Sequence, residues 1–184
     1  LNVLKSKMED FYGVKISAEA LNNSIKLYNR QRSLLMNIYN SRKAAHVPLK
    51  GSEFTDIMLA VSALPVEESI GMLEKVLEEI TDRKTGSPSD VRIYLGSGYH
   101  EEQALLDLME ESGAIIVGDN SCLGIMNFDM STEENTNDPL RAIAGRYLKR
   151  ISCPRMVDDY ERRLDFMNDA VREFKVDAVI LDKL

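Results

Sequence analysis

The chain has 184 residues, 44% hydrophobic and 29% charged, the proportions of a soluble globular protein, and enough length for one substantial core or two small ones. Its formal net charge of -7 argues against a nucleic-acid binder, since such proteins usually present a basic stripe to phosphates. No stretch approaches the ~20 apolar residues of a membrane helix and no signal peptide opens the chain, so no membrane association is expected and the expected location is cytoplasmic.

Leu1, Leu4, Met8 and Phe11 recur at helical spacing from the first residue. Ser17 has the character of a helix N-cap, and Leu21, Ile25, Tyr28, Leu35 and Tyr39 follow at an approximately helical repeat, predicting a long helix to about Arg42. Lys26, Arg30, Arg32, Arg42 and Lys43 cluster in this region, scattered round the helix, and read as a solvated face. Pro48 and Gly51 break the pattern; Ser52 is placed to cap a shorter helix through about Ala63, and Pro65 fits the first turn of another through about Asp82. The acidic residues Glu67, Glu68, Glu74, Glu78 and Glu79 sit at helical surface positions and read as solubilising charge.

Thr85 to Asp90 is a run of turn formers, and beyond it the period changes. Val91 to Leu95 reads as a strand, Gly96-Ser97-Gly98 as its turn, and Glu101 to Ser112 as a helix ended by Gly113. Ala114 to Val117 reads as a second strand, followed by a polar loop from Gly118 to Gly124. Helices are expected from about Asp138 to Arg150 and from about Val157 to Phe174, then a last apolar run from Val176 with the look of a buried parallel strand. The fold class is therefore α/β: a mainly helical segment, 1–85, followed by a Rossmann-like or flavodoxin-like parallel sheet with flanking helices, 86–184. Because Leu1 opens directly into a helical pattern and Leu184 falls where a strand would hand over to a loop, the expectation is an excised part of a larger protein.

In open α/β sheets ligands are met beyond the carboxyl ends of the strands, which directs attention to two loops. Gly96, Ser97 and Gly98 follow a strand and precede a helix, where backbone N–H groups can meet a phosphate or carboxylate; a tight strand-to-helix turn is the favoured reading and a ligand contact the alternative. Asp119, Asn120 and Cys122 fall at the same sheet edge, where Asp, Asn and Ser also serve as ordinary turn formers. These six residues are the candidate site. Cys122 and Cys153 are far apart in sequence and His46 and His100 lie in different segments, so neither a disulfide framework nor a metal-ligand pattern follows. No Ser-His-Asp or Cys-His set can be assembled.

Several segments, taken in order, resemble the 2-hydroxyacyl-CoA dehydratase family, which includes the benzoyl-CoA reductase subunits. They are Gly13-Val14-Lys15-Ile16-Ser17 with Leu21; Tyr28-Asn29-Arg30-Gln31-Arg32-Ser33-Leu34-Leu35; Arg92 to Ser97; Glu111 to Gly124; Tyr147 with Cys153-Pro154-Arg155-Met156 and Arg163; and Lys175 to Ile180. The resemblance implies one subunit of an oxygen-sensitive, two-subunit lyase that removes water from a 2-hydroxyacyl-CoA through a ketyl radical, with an electron supplied by an ATP-dependent activator protein. It also implies a 4Fe-4S cluster held through three cysteines that lie outside this chain, and partners that are a second dehydratase subunit, the activator and the acyl-CoA substrate. Cys122 matches a frequent family cysteine, without a ligand role. Two positions depart from the family pattern: Leu123-Gly124-Ile125-Met126-Asn127 lacks the arginine often found soon after the glycine, and Ala178 replaces a glycine. A noncatalytic assembly subunit of the same fold, or a small-ligand-binding flavodoxin-like domain, are the competing expectations.

Overall fold

Residues 1–96, 103–151, 153 and 158–181 are described by a computed structural model of the chain. The first helix, α1 (Asn2–Tyr12), ends at Gly13, whose φ of 64° is a left-handed C-cap that glycine adopts without steric cost. Its apolar residues are all exposed; Phe11 keeps 82% of its surface. Ser17 caps α2 (Ala18–Ser41) as expected, its Oγ accepting from the Ala20 N–H at 3.0 Å. Ile25, Leu35, Ile38 and Tyr39 form the buried stripe of α2.

Helix α3 (Gly51–Ala63) starts one residue before the expected cap. Ser52 is not the cap: the Lys50 N–H donates to Glu53 Oε2 at 2.9 Å, and Ser52 Oγ instead donates to Glu110 Oε2 at 2.8 Å. Glu110 is buried on α5 (Gln103–Glu111), and its carboxylate also accepts from the Gly51 N–H at 2.7 Å and the Ile116 N–H at 3.4 Å. The orphan amides that open α3 are thus satisfied by a carboxylate from another helix, with the helix dipole adding to the attraction. Gly51 also lets α3 approach the sheet, since a Cβ there would stand 2.5 Å from Ile116 Cβ. Helix α4 (Val66–Ile80) buries Ile70 and Leu73 against α2, and its acidic residues face outward as expected, with Glu74 paired to Arg30.

Three strands, β1 (Val91–Gly96), β2 (Ala114–Asp119) and β3 (Ala178–Leu181), form a parallel sheet in the order β2-β1-β3. The sheet belongs to a mixed α/β chain, the class expected from the alternation of periods. Strand β2 runs two residues further than its sequence suggests, so Gly118 and Asp119 belong to the strand and not to the loop. Opposite Ile93 and Tyr94 the register slips: Ile93 pairs with Ile116 but Tyr94 with Gly118, leaving Val117 as the extra residue of a bulge. Gly118 is required there, because a Cβ would lie 2.9 Å from the Tyr94 ring and 3.2 Å from the Tyr39 hydroxyl.

The last strand departs from expectation. It is an edge strand in this sheet, with Val179 40% and Leu181 71% exposed, because only β1 pairs with it among the described residues. The remaining elements are a short 3-10 turn (Ile125–Asn127), α6 (Pro139–Lys149) and α7 (Tyr160–Glu173). Asp138 caps α6, its Oδ1 accepting from the Arg141 N–H at 3.0 Å; the expected start of α7 at Val157 lies outside the described residues. The segment before α6 is fastened to α2 by Asn29, whose side chain accepts from the Thr132 N–H at 2.9 Å and donates to the Thr132 carbonyl at 2.7 Å.

One core cluster draws on both halves of the chain, joining Leu35, Ile38, Phe54 and Leu73 to Tyr94, Val117, Phe128 and Phe174. At its centre the Tyr39 ring meets Phe54, Phe128 and Phe174 edge-on, with centroids 5.7, 5.7 and 5.0 Å away. At the start of β1, Arg92 donates to the carbonyls of Arg42 at 2.9 Å, Ala44 at 3.1 Å and Phe174 at 2.8 Å. A cation at the C-terminal ends of α2 and α7 complements both helix dipoles and ties them to the central strand.

Candidate functional site

The candidate site is built on the carboxyl end of β2. Asp119 is 7% exposed, and its carboxylate is fully engaged: Oδ1 accepts from Ser121 N at 3.1 Å and Ser121 Oγ at 3.0 Å, and Oδ2 lies 3.6 Å from Arg42 Nη2. The bonds to Ser121 are the turn chemistry that Asp favours. Gly124 closes the loop over the carboxylate, where a Cβ would fall 1.4 Å from Asp119 Oδ1, so only glycine fits.

Arg42 is the C-cap residue of α2 and is completely buried, its guanidinium 4.5 Å from the centroid of Tyr39 and 4.0 Å from that of Phe54. The reading of the basic cluster as a solvated face fails here, because the aromatic rings and Asp119 offer a buried cation a better partner than water does for a charge beside the core. The guanidinium makes no hydrogen bond among the described residues, which leaves the ion pair and the ring faces as its compensation. Lys26 and Arg30 are exposed, and Arg32 is partly buried.

Tyr39 completes the constellation. Its hydroxyl donates to the Asp119 carbonyl and accepts from the Asp119 N–H, both at 3.2 Å. Burial, reinforced by the charge of Asp119, holds the Tyr39 phenol well above the ordinary tyrosine range, so it stays protonated and neutral. The Tyr94 phenol is raised in the same way, by burial first and then by Tyr39 and Asp119.

The other candidate residues divide. The Asn120 N–H donates to the Leu95 carbonyl at 3.2 Å and extends the β1–β2 ladder beyond the strand. Gly96 ends β1, and a Cβ there would meet Leu181 Cδ2 at 2.4 Å and Asn120 Oδ1 at 3.7 Å; close packing of β3 is reason enough for a glycine. Ser97 and Gly98 lie outside the described residues. The structure thus brings together Gly96, Asp119 and Asn120 at the carboxyl end of the sheet, while Cys122 lies against Cys153. Sequence reasoning missed Tyr39, Arg42 and Gly124, and of these only Arg42 carried a signal, as a cation at a helix C-terminus.

Cys122 and Cys153 meet although 31 positions separate them, their sulfurs 4.0 Å apart. A disulfide needs about 2.05 Å between sulfurs, so a shift of about 2 Å would join them. Diamide treatment is expected to produce this intramolecular disulfide, seen as a linked peptide pair by mass spectrometry and absent in Cys122→Ser. Two unlinked thiols after full oxidant exposure would show that the loop holds them apart.

With Asp119 spent on Arg42 and Ser121, the arrangement shapes a loop and offers no proton-transfer pair. A parallel sheet flanked by helices, with a buried charge pair beneath a polar loop at its strand ends, defines an α/β protein. The family model of the 2-hydroxyglutaryl-CoA dehydratase D-component matches residues 1–184, and the chain belongs to that family. It is 27% identical to a benzoyl-CoA reductase subunit of Thauera aromatica, over 98% of this chain and 47% of that protein. It is 26% identical to the putative dehydratase subunit YjiM of Escherichia coli K12, over 96% of this chain and 47% of that one. Identity to the (R)-phenyllactyl-CoA dehydratase beta subunit of Clostridium sporogenes is 22%, over 95% of this chain and 46% of that protein. The chain spans about half the length of these relatives, each matched over 46–47%.

The resemblance to this family implies an iron-sulfur cluster. The residues present here do not fit such a cluster. The sequence has two cysteines, and no group of three His, Cys, Asp or Glu able to hold a metal occurs among the described residues. No described helix is long and apolar enough to cross a membrane.

Proposed function

We propose that this chain is part of one subunit of an enzyme that removes water from a 2-hydroxyacyl-CoA to give an enoyl-CoA. The observation that carries the reading is the family match over residues 1–184, supported by a loop that the Asp119–Arg42 pair aims beyond the strand ends. In this reading the redox centre is a 4Fe-4S cluster whose ligands lie outside this chain, the electron comes from an ATP-dependent activator, and the enzyme is completed by a second subunit. This chain's own residues contribute shape: Tyr39, Arg42 and Gly124 fix the Asp119–Cys122 loop, and the aromatic cluster beneath it excludes water. Reduction of an aromatic acyl-CoA is the second reading, favoured by the name of the Thauera relative.

The test compares anaerobically purified full-length protein with this segment for iron and acid-labile sulfide, then assays the full-length complex with its activator. About four irons per full-length chain, none in the segment, and turnover of a 2-hydroxyacyl-CoA are expected. Turnover of benzoyl-CoA alone would select the second reading. An iron-free full-length chain without turnover would overturn both and leave a noncatalytic assembly role.

A further inference from the structure

A cavity of about 270 Å³ opens between α2, α3, the loop after β2 and α6, and three arginines line it: Arg32, Arg146 and Arg150. Tyr28, Tyr147 and Cys122 line it as well. Among the described residues no carboxylate forms an ion pair with any of the three guanidiniums. Arg146 is committed to structure, donating to the carbonyls of Met130 at 2.7 Å and Asn127 at 2.6 Å. Arg32 spends one nitrogen on Asn29 Oδ1 at 2.8 Å, and Arg150 lies over the Tyr147 ring, 5.1 Å from its centroid.

Such a cluster is costly when empty of counter-charge. Burial, and after it the charge of Arg146, push the Arg32 guanidinium down to about 10. The nearby acid, Asp129, favours the charged guanidinium of Arg32 but does not outweigh burial and Arg146, and burial raises its own carboxyl. An anion between the arginines would offset the repulsion of Arg32 by Arg146, and guanidinium forks match the oxygens of a phosphate. The exposed rings of Tyr28 and Tyr147 add flat apolar surface for the group that bears it.

We propose that Arg32, Arg146 and Arg150 form a phosphate-binding site in this cavity, with Arg32 and Arg150 as the two guanidiniums that close on the ligand. The cavity suits a phosphate and its immediate carrier, not a whole coenzyme A. Two sources share this chemistry, a phosphate group of coenzyme A and free inorganic phosphate; only the first rests on the acyl-CoA reading above.

Calorimetric titration of the full-length chain in its purified assembly separates them, using inorganic phosphate, coenzyme A and phosphate-free pantetheine. Phosphate is expected to bind one site, Arg32→Gln and Arg150→Gln each to weaken it about tenfold, and Arg32→Lys to weaken it less. Arg150 lies at the end of α6 over the Tyr147 ring, so the melting temperature of its variant is compared with the wild type before binding is read. Displacement of phosphate by coenzyme A but not by pantetheine, lost in the same variants, identifies the carrier's phosphate as the occupant. Variant-sensitive phosphate binding that coenzyme A does not displace supports the site with free phosphate as its ligand, and leaves the dehydration assay to judge the acyl-CoA reading separately. Affinities unchanged in an Arg32→Gln/Arg150→Gln double variant that melts like the wild type would overturn the proposal.

Discussion

Arg42→Ala is expected to destabilise the protein by about 3–5 kcal/mol, the usual consequence of removing one partner from a buried ion pair. Arg42 is entirely buried and Asp119 nearly so, which means that alanine leaves a carboxylate facing aromatic rings with only Ser121 to satisfy it. Arg42→Lys should lose less, because the charge remains while the flat contact with Tyr39 and Phe54 does not. Urea unfolding followed by far-ultraviolet circular dichroism measures both. A loss below about 1 kcal/mol for Arg42→Ala would mean that the pair behaves like a surface salt bridge, and that Asp119 is held by Ser121 alone. The Asp119→Asn, Arg42→Met double variant should recover part of the loss, since it removes the stranded charge along with its partner.

The second large effect is expected at Glu110, where replacement by alanine should cost on the order of 3 kcal/mol. That carboxylate serves the first amides of α3 and an amide of β2 together, so its loss uncovers donors in two elements at once. Glu110→Gln keeps an acceptor but not the charge that favours a helix N-terminus, and should cost about 1 kcal/mol. Hydrogen exchange distinguishes the two changes. In Glu110→Ala the amides of Gly51, Ser52 and Ile116 should all lose protection, whereas unaltered protection at these positions would show that water replaces the carboxylate without penalty.

Local chemistry was readable in the sequence wherever it acts within a few residues. Ser17 and Asp138 cap helices because a short side-chain oxygen reaches an amide three positions on, and both do so in the structure. The change of period after Asp90 marked the passage from helices to strands, and Gly113 ends its helix at a φ of 91°. What stayed hidden depends on partners distant along the chain. Ser52 had the composition of a cap, but a glutamate 58 positions away made it a hydrogen-bond donor instead. Arg42 and Lys43 are adjacent and equally basic, yet one is buried between rings and the other reaches Glu173. No local pattern ranks them, because the rings that choose Arg42 belong to different helices. The two cysteines are a similar case: each looked isolated until the loop after β2 and the segment after α6 were folded together. The final strand was misjudged for another reason, since apolar composition reports what a strand can bury and not how many neighbours this chain supplies.

Val117 interrupts the β1–β2 ladder as one surplus residue, and everything downstream on that strand inherits the offset. Because side chains alternate sides along a strand, the direction in which the 119–122 loop leaves the sheet depends on a tally of positions as much as on their chemistry. Removing Val117 would restore a regular ladder in which Gly118 and Asp119 keep Tyr94 and Leu95 as partners, but would take out the bend and extra twist that the bulge gives the strand ahead of the loop. Among related sequences, insertions and deletions between Ile116 and Asp119 should therefore change the course of this loop more sharply than exchanges of the loop residues themselves.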